Sequence, residues 1–218
     1  ALAKRIRAPH LVAAFEFGGV GPSLDKLPLA VGGSRTFHRA PTASSICDLM
    51  EAAARGYVEY GFLGGAQIDA YGNLNATVIG DQRKPKVRFP GSGGANDIGS
   101  LCWKTIAIMR HGKRRFVEKL DFLTTAGYLD GPGARERAGL PSGSGPYRVI
   151  TDLGVLGYDD ETKRMKLLQV QPGVTVDKVK EETGFELLVA DEVTTNDPPS
   201  DEELKILRAE IDPNKLYI

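Results

Sequence analysis

Glycine does most to limit what this chain can fold into. Twenty-six glycines punctuate 218 residues, and between them short apolar runs alternate with stretches of helical periodicity. Glycine reaches backbone conformations closed to other residues, so it marks where elements stop and turn. Apolar runs of strand length alternating with amphipathic stretches point to a layered α/β fold. Residues 11–17 read as a buried strand ending in Gly18-Gly19. Ser44 and Ser45 can cap a helix whose inner face is Ile46, Leu49, Met50 and Ala53, with Gly56 ending it. Residues 57–63 and 104–109 read as strands, and residues 69–73 as a turn, since Gly72 and Asn73 tolerate positive φ.

Further along, residues 127–145 form a long loop rich in Gly and Pro, a length that is usually functional or interfacial. Residues 149–151, 155–158 and 165–169 have the look of hairpin strands. Thr175 can cap a helix that stops at Gly184, and Ser200 with Glu203 makes a capping box for a last helix ending before Pro213. Residues 196–201 read as a short polar linker and not as a domain boundary, so residues 1–218 are expected to form one domain. The chain opens at Ala1, and residues 1–7 resemble the last turn of an amphipathic helix.

Composition removes several function classes. Lys plus Arg and Asp plus Glu both number 28, so no strongly basic nucleic-acid surface is called for. Zero net charge gives little colloidal repulsion and suits a polypeptide that buries surface against a partner. Two cysteines, Cys47 and Cys102, exclude a disulfide framework and a four-thiolate zinc site. His10, His38 and His111 lack metal-ligand spacing, so no metal is expected. No apolar run reaches membrane-span length and no signal peptide opens the chain, which gives a cytoplasmic reading without membrane contact.

The chemistry must come from other groups. Glu16 lies between Phe15 and Phe17 just before Gly18-Gly19. Desolvating a carboxylate is costly unless it is paired, and active sites gather where α/β strands end; the plain alternative is an edge glutamate whose head reaches water. In the run from Gly91 to Asp97, consecutive glycines let backbone N–H groups converge on an oxyanion or phosphate, or simply make a tight turn. It is neither a P-loop nor a dinucleotide fingerprint. Gln67 can hold a carboxylate or amide, or bond to turn backbone. The basic run Arg110, His111, Lys113, Arg114 and Arg115 can meet a phosphate-bearing ligand, although a solvated face or a rim between subunits is the favoured reading. Cys102 beside Trp103 reads as packing.

Several strings taken together resemble the β subunit of glutaconate coenzyme A-transferases, which are class I CoA transferases. They include Gly64-Gly65-Ala66-Gln67-Ile68-Asp69-Ala70-Tyr71-Gly72-Asn73, Gly91-Ser92-Gly93-Gly94-Ala95-Asn96, Lys113-Arg114-Arg115-Phe116 and Gly131-Pro132-Gly133-Ala134-Arg135-Glu136. The likeness runs over nearly the whole chain in one order. It implies a three-layer α/β fold, an open and largely parallel sheet with helices on both faces. It also implies that the family's catalytic glutamate is Glu16, counted from Ala3-Lys4-Arg5, and that Gly93, Gly94, Ala95 and Asn96 bind CoA and the oxyanion. Gln67, Gly18 and Gly19 are the expected substrate contacts.

The implied partner is an α subunit in an αβ unit that doubles to α2β2 or higher. CoA enters as a substrate and no cofactor is needed. The family's first strand and glycine loop would precede Ala1, and residues 22–42 show little likeness. The Phe15-Glu16-Phe17-Gly18 setting is less polar than in other transferases, which keeps open a hydrolase, ring-cleaving or decarboxylating enzyme on the same fold; a rival of another class is a non-catalytic CoA-binding subunit, against which the retained Glu16 argues.

Overall fold

The computed structural model describes residues 1–217, which form two compact units: Ala1–Ala52 with the stretch from Pro198 onward, and Ala53–Asp197. The chain passes between them twice, at Ala52–Ala53 and at Asp197–Pro198, the second inside the polar stretch 196–201.

The second unit is built on a six-stranded sheet. Its order is Leu188–Thr195, Met165–Val170, Gly154–Tyr158, Gly145–Ile150, Lys104–Ile108 and Tyr60–Leu63. Three of its five pairings are parallel, and the two around Gly154–Tyr158 are antiparallel. The hairpin material read after Arg148 is this antiparallel part. Its alternation explains the core: Val149, Leu156, Met165 and Leu167 are buried, while Lys166 and Leu168 point the other way. Ile68, Phe116 and Val179 belong to the same buried cluster.

The Tyr60–Leu63 strand is shorter than the expected 57–63, since Tyr57 is exposed and outside the pairing. A helix, Ala95–Leu101, packs across the Tyr60–Leu63, Lys104–Ile108 and Gly145–Ile150 strands. Gly61 lets it approach: a Cβ there would run into Ile98 and lie 3.1 Å from Cys102 Sγ.

The turn at 69–73 forms as expected. Asp69 Oδ1 accepts from the N–H groups of Tyr71 (2.9 Å) and Asn73 (3.0 Å). Asn73 then staples the turn to the long loop. Its Nδ2 donates to Leu129 C=O at 2.9 Å, and its Oδ1 accepts from Gly127 N–H at 2.8 Å. That loop holds a short helix, Ala134–Arg137, hidden from sequence reading by its glycines and prolines.

In the first unit the capping signals hold. Ser45 Oγ accepts from Asp48 N–H at 3.1 Å at the start of Ile46–Ala54, and Ser200 with Glu203 caps Asp201–Ile206. The expected buried strand at 11–17 does not form. Only Ala14 bridges, to Val20, while Leu11, Val12 and Phe17 stay exposed. Local geometry accounts for this, because the chain turns back on itself at residues 15–18 before a ladder can extend.

Candidate functional site

Glu16 occupies the second position of that turn. Phe15 C=O accepts from Gly18 N–H at 2.7 Å, and Phe15 N–H donates to Gly19 C=O at 2.9 Å. The chain returns through Gly21 N–H to Ala13 C=O at 2.8 Å. The carboxylate therefore stands at the tip of a tight hairpin, half-buried, beside a Phe17 ring that is 48% exposed. Gly18 closes the turn with φ +104°, a conformation that disfavours any side chain, and a Cβ there would overlap the Ser44 carbonyl. A Cβ on Gly19 would overlap the Thr36 carbonyl. Both glycines, expected from sequence to touch substrate, are buried under their own chain, where their smallness is a packing requirement.

In the second unit the glycine-rich run opens the Ala95–Leu101 helix. Ser92 C=O accepts from Ala95 N–H at 2.8 Å, and Ser92 Oγ accepts from Asn96 N–H at 3.1 Å. Two of the four amides expected to face an oxyanion are thus already committed to Ser92. Among the described residues, Gly93 N–H and the Asn96 side-chain amide remain without a protein partner, and both residues are exposed. Gly93 has φ +48°.

Gln67 is 6% exposed, and both ends of its amide are engaged. Nε2 donates to Asp121 Oδ2 at 2.9 Å, while Oε1 accepts from Asn75 Nδ2 at 2.7 Å and Asp121 N–H at 3.1 Å. The residue lines an open groove of about 860 Å³, also bounded by Phe89, Gly91, Arg114 and Arg115, and it braces the wall of that groove.

The basic run divides. Arg114 and Arg115 stand at the groove, whereas His111 turns inward. Its ring stacks on Phe116 at 3.8 Å between centroids, with Nδ1 3.2 Å from Thr151 Oγ1 and Nε2 3.0 Å from Thr183 Oγ1. Burial lowers its pKa from 6.5 to about 4, against the opposing pull of Asp152 and Glu182.

The unfolded chain therefore binds this proton more tightly than the folded one. The stabilisation from His111 is complete above about pH 6.5 and is lost as pH falls toward 4. Urea unfolding between pH 4 and 7 should show a steeper acid loss for the wild type than for His111→Asn. Parallel curves would remove His111 as the source.

Burial raises the Cys102 thiol to about 11, which fits a packing role and leaves it a poor nucleophile. Arg135 escaped the sequence reading as a functional residue. It is 2% exposed and binds the Ala126, Gly127 and Gly99 carbonyls. Its only sequence signal is an arginine inside a Gly-Pro-Gly string. Among the described residues no group of three or more His, Cys, Asp or Glu could hold a metal, and no helix is long and apolar enough to cross a membrane.

Residues 22–182 match the coenzyme A transferase family. The B-type subunit of glutaconate CoA-transferase from Acidaminococcus fermentans is 41% identical over 222 residues, covering 100% of this chain and 83% of that relative. The B-type subunit of 3-oxoadipate CoA-transferase from Pseudomonas knackmussii is 37% identical over 209 residues, covering 95% of this chain and 80% of that relative. The crystal structure of glutaconate coenzyme A-transferase from A. fermentans superposes with a TM-score of 0.94 at 40% identity, over 100% of this chain and 85% of that one. Glu16 precedes the family match but lies within the span shared with the glutaconate enzyme. With its mixed sheet and a likeness to these subunits that spans nearly all of its residues, the chain is an enzyme polypeptide of the CoA-transferase type and belongs to the coenzyme A transferase family.

Proposed function

We propose that the chain is the B-type subunit of a heteromeric transferase moving CoA between an acyl-CoA and a free carboxylic acid, dicarboxylic acids included, with Glu16 as the nucleophile. The observation that carries this reading is the 41% identity to the B-type polypeptide of glutaconate CoA-transferase, which covers all of this chain, the hairpin bearing Glu16 included, and 83% of that relative. A Glu16 oxygen attacks the thioester carbonyl, the C–S bond breaks, and CoA leaves as thiolate with a glutamyl anhydride behind it. The thiolate then attacks the glutamyl carbonyl of the anhydride. The first acid departs as carboxylate and a glutamyl-CoA thioester remains. A second carboxylate runs the sequence backwards. The unengaged donors of the glycine loop, Gly93 N–H and the Asn96 amide, are assigned to acyl-CoA, where they would meet developing negative charge.

Such an anhydride survives only where water is kept away. The apolar arm around Glu16 is open in this chain, with Val12 67% and Phe17 48% exposed. We assign its cover to the A-type partner subunit, in an αβ unit that doubles to α2β2 or higher. The reaction needs no cofactor besides CoA as substrate and belongs in the cytoplasm.

The test is the mass of this chain after the heteromeric complex meets its acyl-CoA. A gain of one CoA on Glu16, destroyed by borohydride, supports transfer. Thioester hydrolysis, ring cleavage or decarboxylation without that adduct favours the rival chemistry, and CoA binding without turnover favours a non-catalytic role.

A further inference from the structure

The glycine loop owes its position to residues that lie outside it. It begins at Gly91, whose N–H donates to Ala76 C=O at 3.1 Å, just after Phe89 N–H donates to Thr77 C=O at 2.9 Å. These two bonds prolong the antiparallel pairing of Val78–Ile79 with Val87–Arg88 up to the first glycine. The root of the loop therefore lies wherever the backbone of residues 76–78 puts it.

That backbone is clamped by two side chains. One is Asn75, which is fully buried. Its Oδ1 accepts from Thr77 N–H at 2.9 Å and Val78 N–H at 3.3 Å, while its Nδ2 donates to Val78 C=O at 2.7 Å. The other is Thr124, 7% exposed. Its Oγ1 accepts from Ala76 N–H at 2.9 Å and lies 2.7 Å from Thr77 Oγ1, so the two hydroxyls share a hydrogen bond. Thr124 is itself held in place. Its N–H donates to Leu74 C=O at 2.9 Å, and Leu74 N–H donates to Thr125 C=O at 3.0 Å. Thr125 in turn seats the helix that the loop opens: a Cβ on Gly99 would run into Thr125 Cγ2. Two adjacent threonines thus hold the root of the loop and the helix that follows it.

We propose that Thr124 is a positioning residue for the transfer reaction: through Ala76 and Thr77 its hydroxyl fixes the direction in which the glycine loop presents its donors. The inference rests on the transferase reading, in which Gly93 N–H and the Asn96 amide meet acyl-CoA, and deepens it by naming what holds them in place. Donors aimed at developing charge act through a fixed direction, so a loop whose root wanders costs rate even when the fold survives. Valine in place of Thr124 keeps the side-chain volume. It leaves Ala76 N–H without its acceptor and the Thr77 hydroxyl without its partner.

Two measurements on the heteromeric complex test this, each made with Thr124→Val and Thr124→Ser. The first is amide hydrogen exchange across residues 89–101. Thr124→Val should quicken exchange there while the Gly154–Tyr158 and Met165–Val170 strands keep their wild-type protection. Thr124→Ser restores the hydroxyl and should match the wild type. The second is a single turnover with saturating glutaconyl-CoA or 3-oxoadipyl-CoA, whichever the wild type accepts, read as the rate at which CoA appears on Glu16. That rate should fall by about tenfold or more in Thr124→Val and stay within about twofold of wild type in Thr124→Ser. A wild-type rate in Thr124→Val overturns the proposal, whatever its exchange. So does exchange quickened evenly across the sheet, or a loss that Thr124→Ser shares, since either marks a general packing defect. A wild-type complex that forms no adduct counts against the transferase reading instead, and the exchange pattern then decides by itself whether Thr124 holds the loop.

Discussion

Replacing Glu16 with glutamine should lower CoA transfer by about four orders of magnitude or more, because the step it removes is bond formation itself. An amide keeps the size and hydrogen-bonding reach of the carboxylate. It cannot displace a thiolate, and it cannot form an anhydride that CoA would reopen. Glu16 stands at a hairpin tip whose geometry is held by Phe15, Gly18 and Gly19 backbone bonds, so the substitution leaves the turn intact. Thermal unfolding should be unchanged within error. Glu16→Asp separates chemistry from position. The carboxylate remains, drawn back by one methylene, and a misplacement of about 1 Å can cost roughly a hundredfold. The expected order of steady-state rates is wild type, then Asp, then Gln. Near-normal turnover by the glutamine variant would exclude Glu16 as the nucleophile and leave the hydrolase or decarboxylase chemistries standing.

Features governed by residues a few positions apart were legible in the sequence. The Asp69–Asn73 turn, the cap at Ser45, the Ser200–Glu203 box and the antiparallel strands after Arg148 all came from local rules, and all are present. Residues 11–17 show the limit of such rules. Their apolar composition is right for a strand, but a strand needs a neighbour as well as propensity. Here the turn at 15–18 ends the pairing after one bridge.

The candidate site divides in the same way. The Gly91–Asn96 run was visible as a nest of donors. That Ser92 would occupy two of those donors depends on how the loop folds, and sequence could not show it. Gln67 was visible as a polar residue in a turn-like string, whereas its ties to Asn75 and Asp121 join residues up to 54 positions apart. Glu16 gained its role from resemblance, since an acidic residue between two phenylalanines has an ordinary explanation as readily as a catalytic one. The groove at Arg114 and Arg115 was half legible: the cations formed a run, but the apolar wall they face comes from residues 64–91.

Arg135 was not legible, and it carries the largest expected effect on stability. Its side chain is sealed from solvent at 2% exposure, with donors fanned across four acceptors. Nη1 reaches Ala126 C=O at 3.1 Å and Gly127 C=O at 2.9 Å, while Nη2 reaches Gly99 C=O at 3.2 Å and Ser144 Oγ at 3.1 Å. None of these acceptors is a carboxylate, and burial lowers the pKa of the guanidinium against the opposing pull of Tyr128 and Glu136. Removing the side chain leaves buried carbonyls without donors and opens a cavity the width of a guanidinium. Arg135→Ala should therefore cost about 3–5 kcal/mol, or a fall in Tm of about 10 °C or more. Lysine can donate from one point but cannot span acceptors on separate segments, so Arg135→Lys should fall between. Methionine fills the space without donating and should lie nearer to alanine. If the ordering came instead from volume alone, methionine would match wild type in urea and thermal unfolding, and the hydrogen-bonding account would fail. The consequence extends to the glycine loop, because Gly99 belongs to the helix that this loop opens. Releasing its carbonyl loosens the far end of that helix. Below its lowered Tm, Arg135→Lys should then bind CoA more weakly than wild type, an effect that a purely thermal defect would not produce.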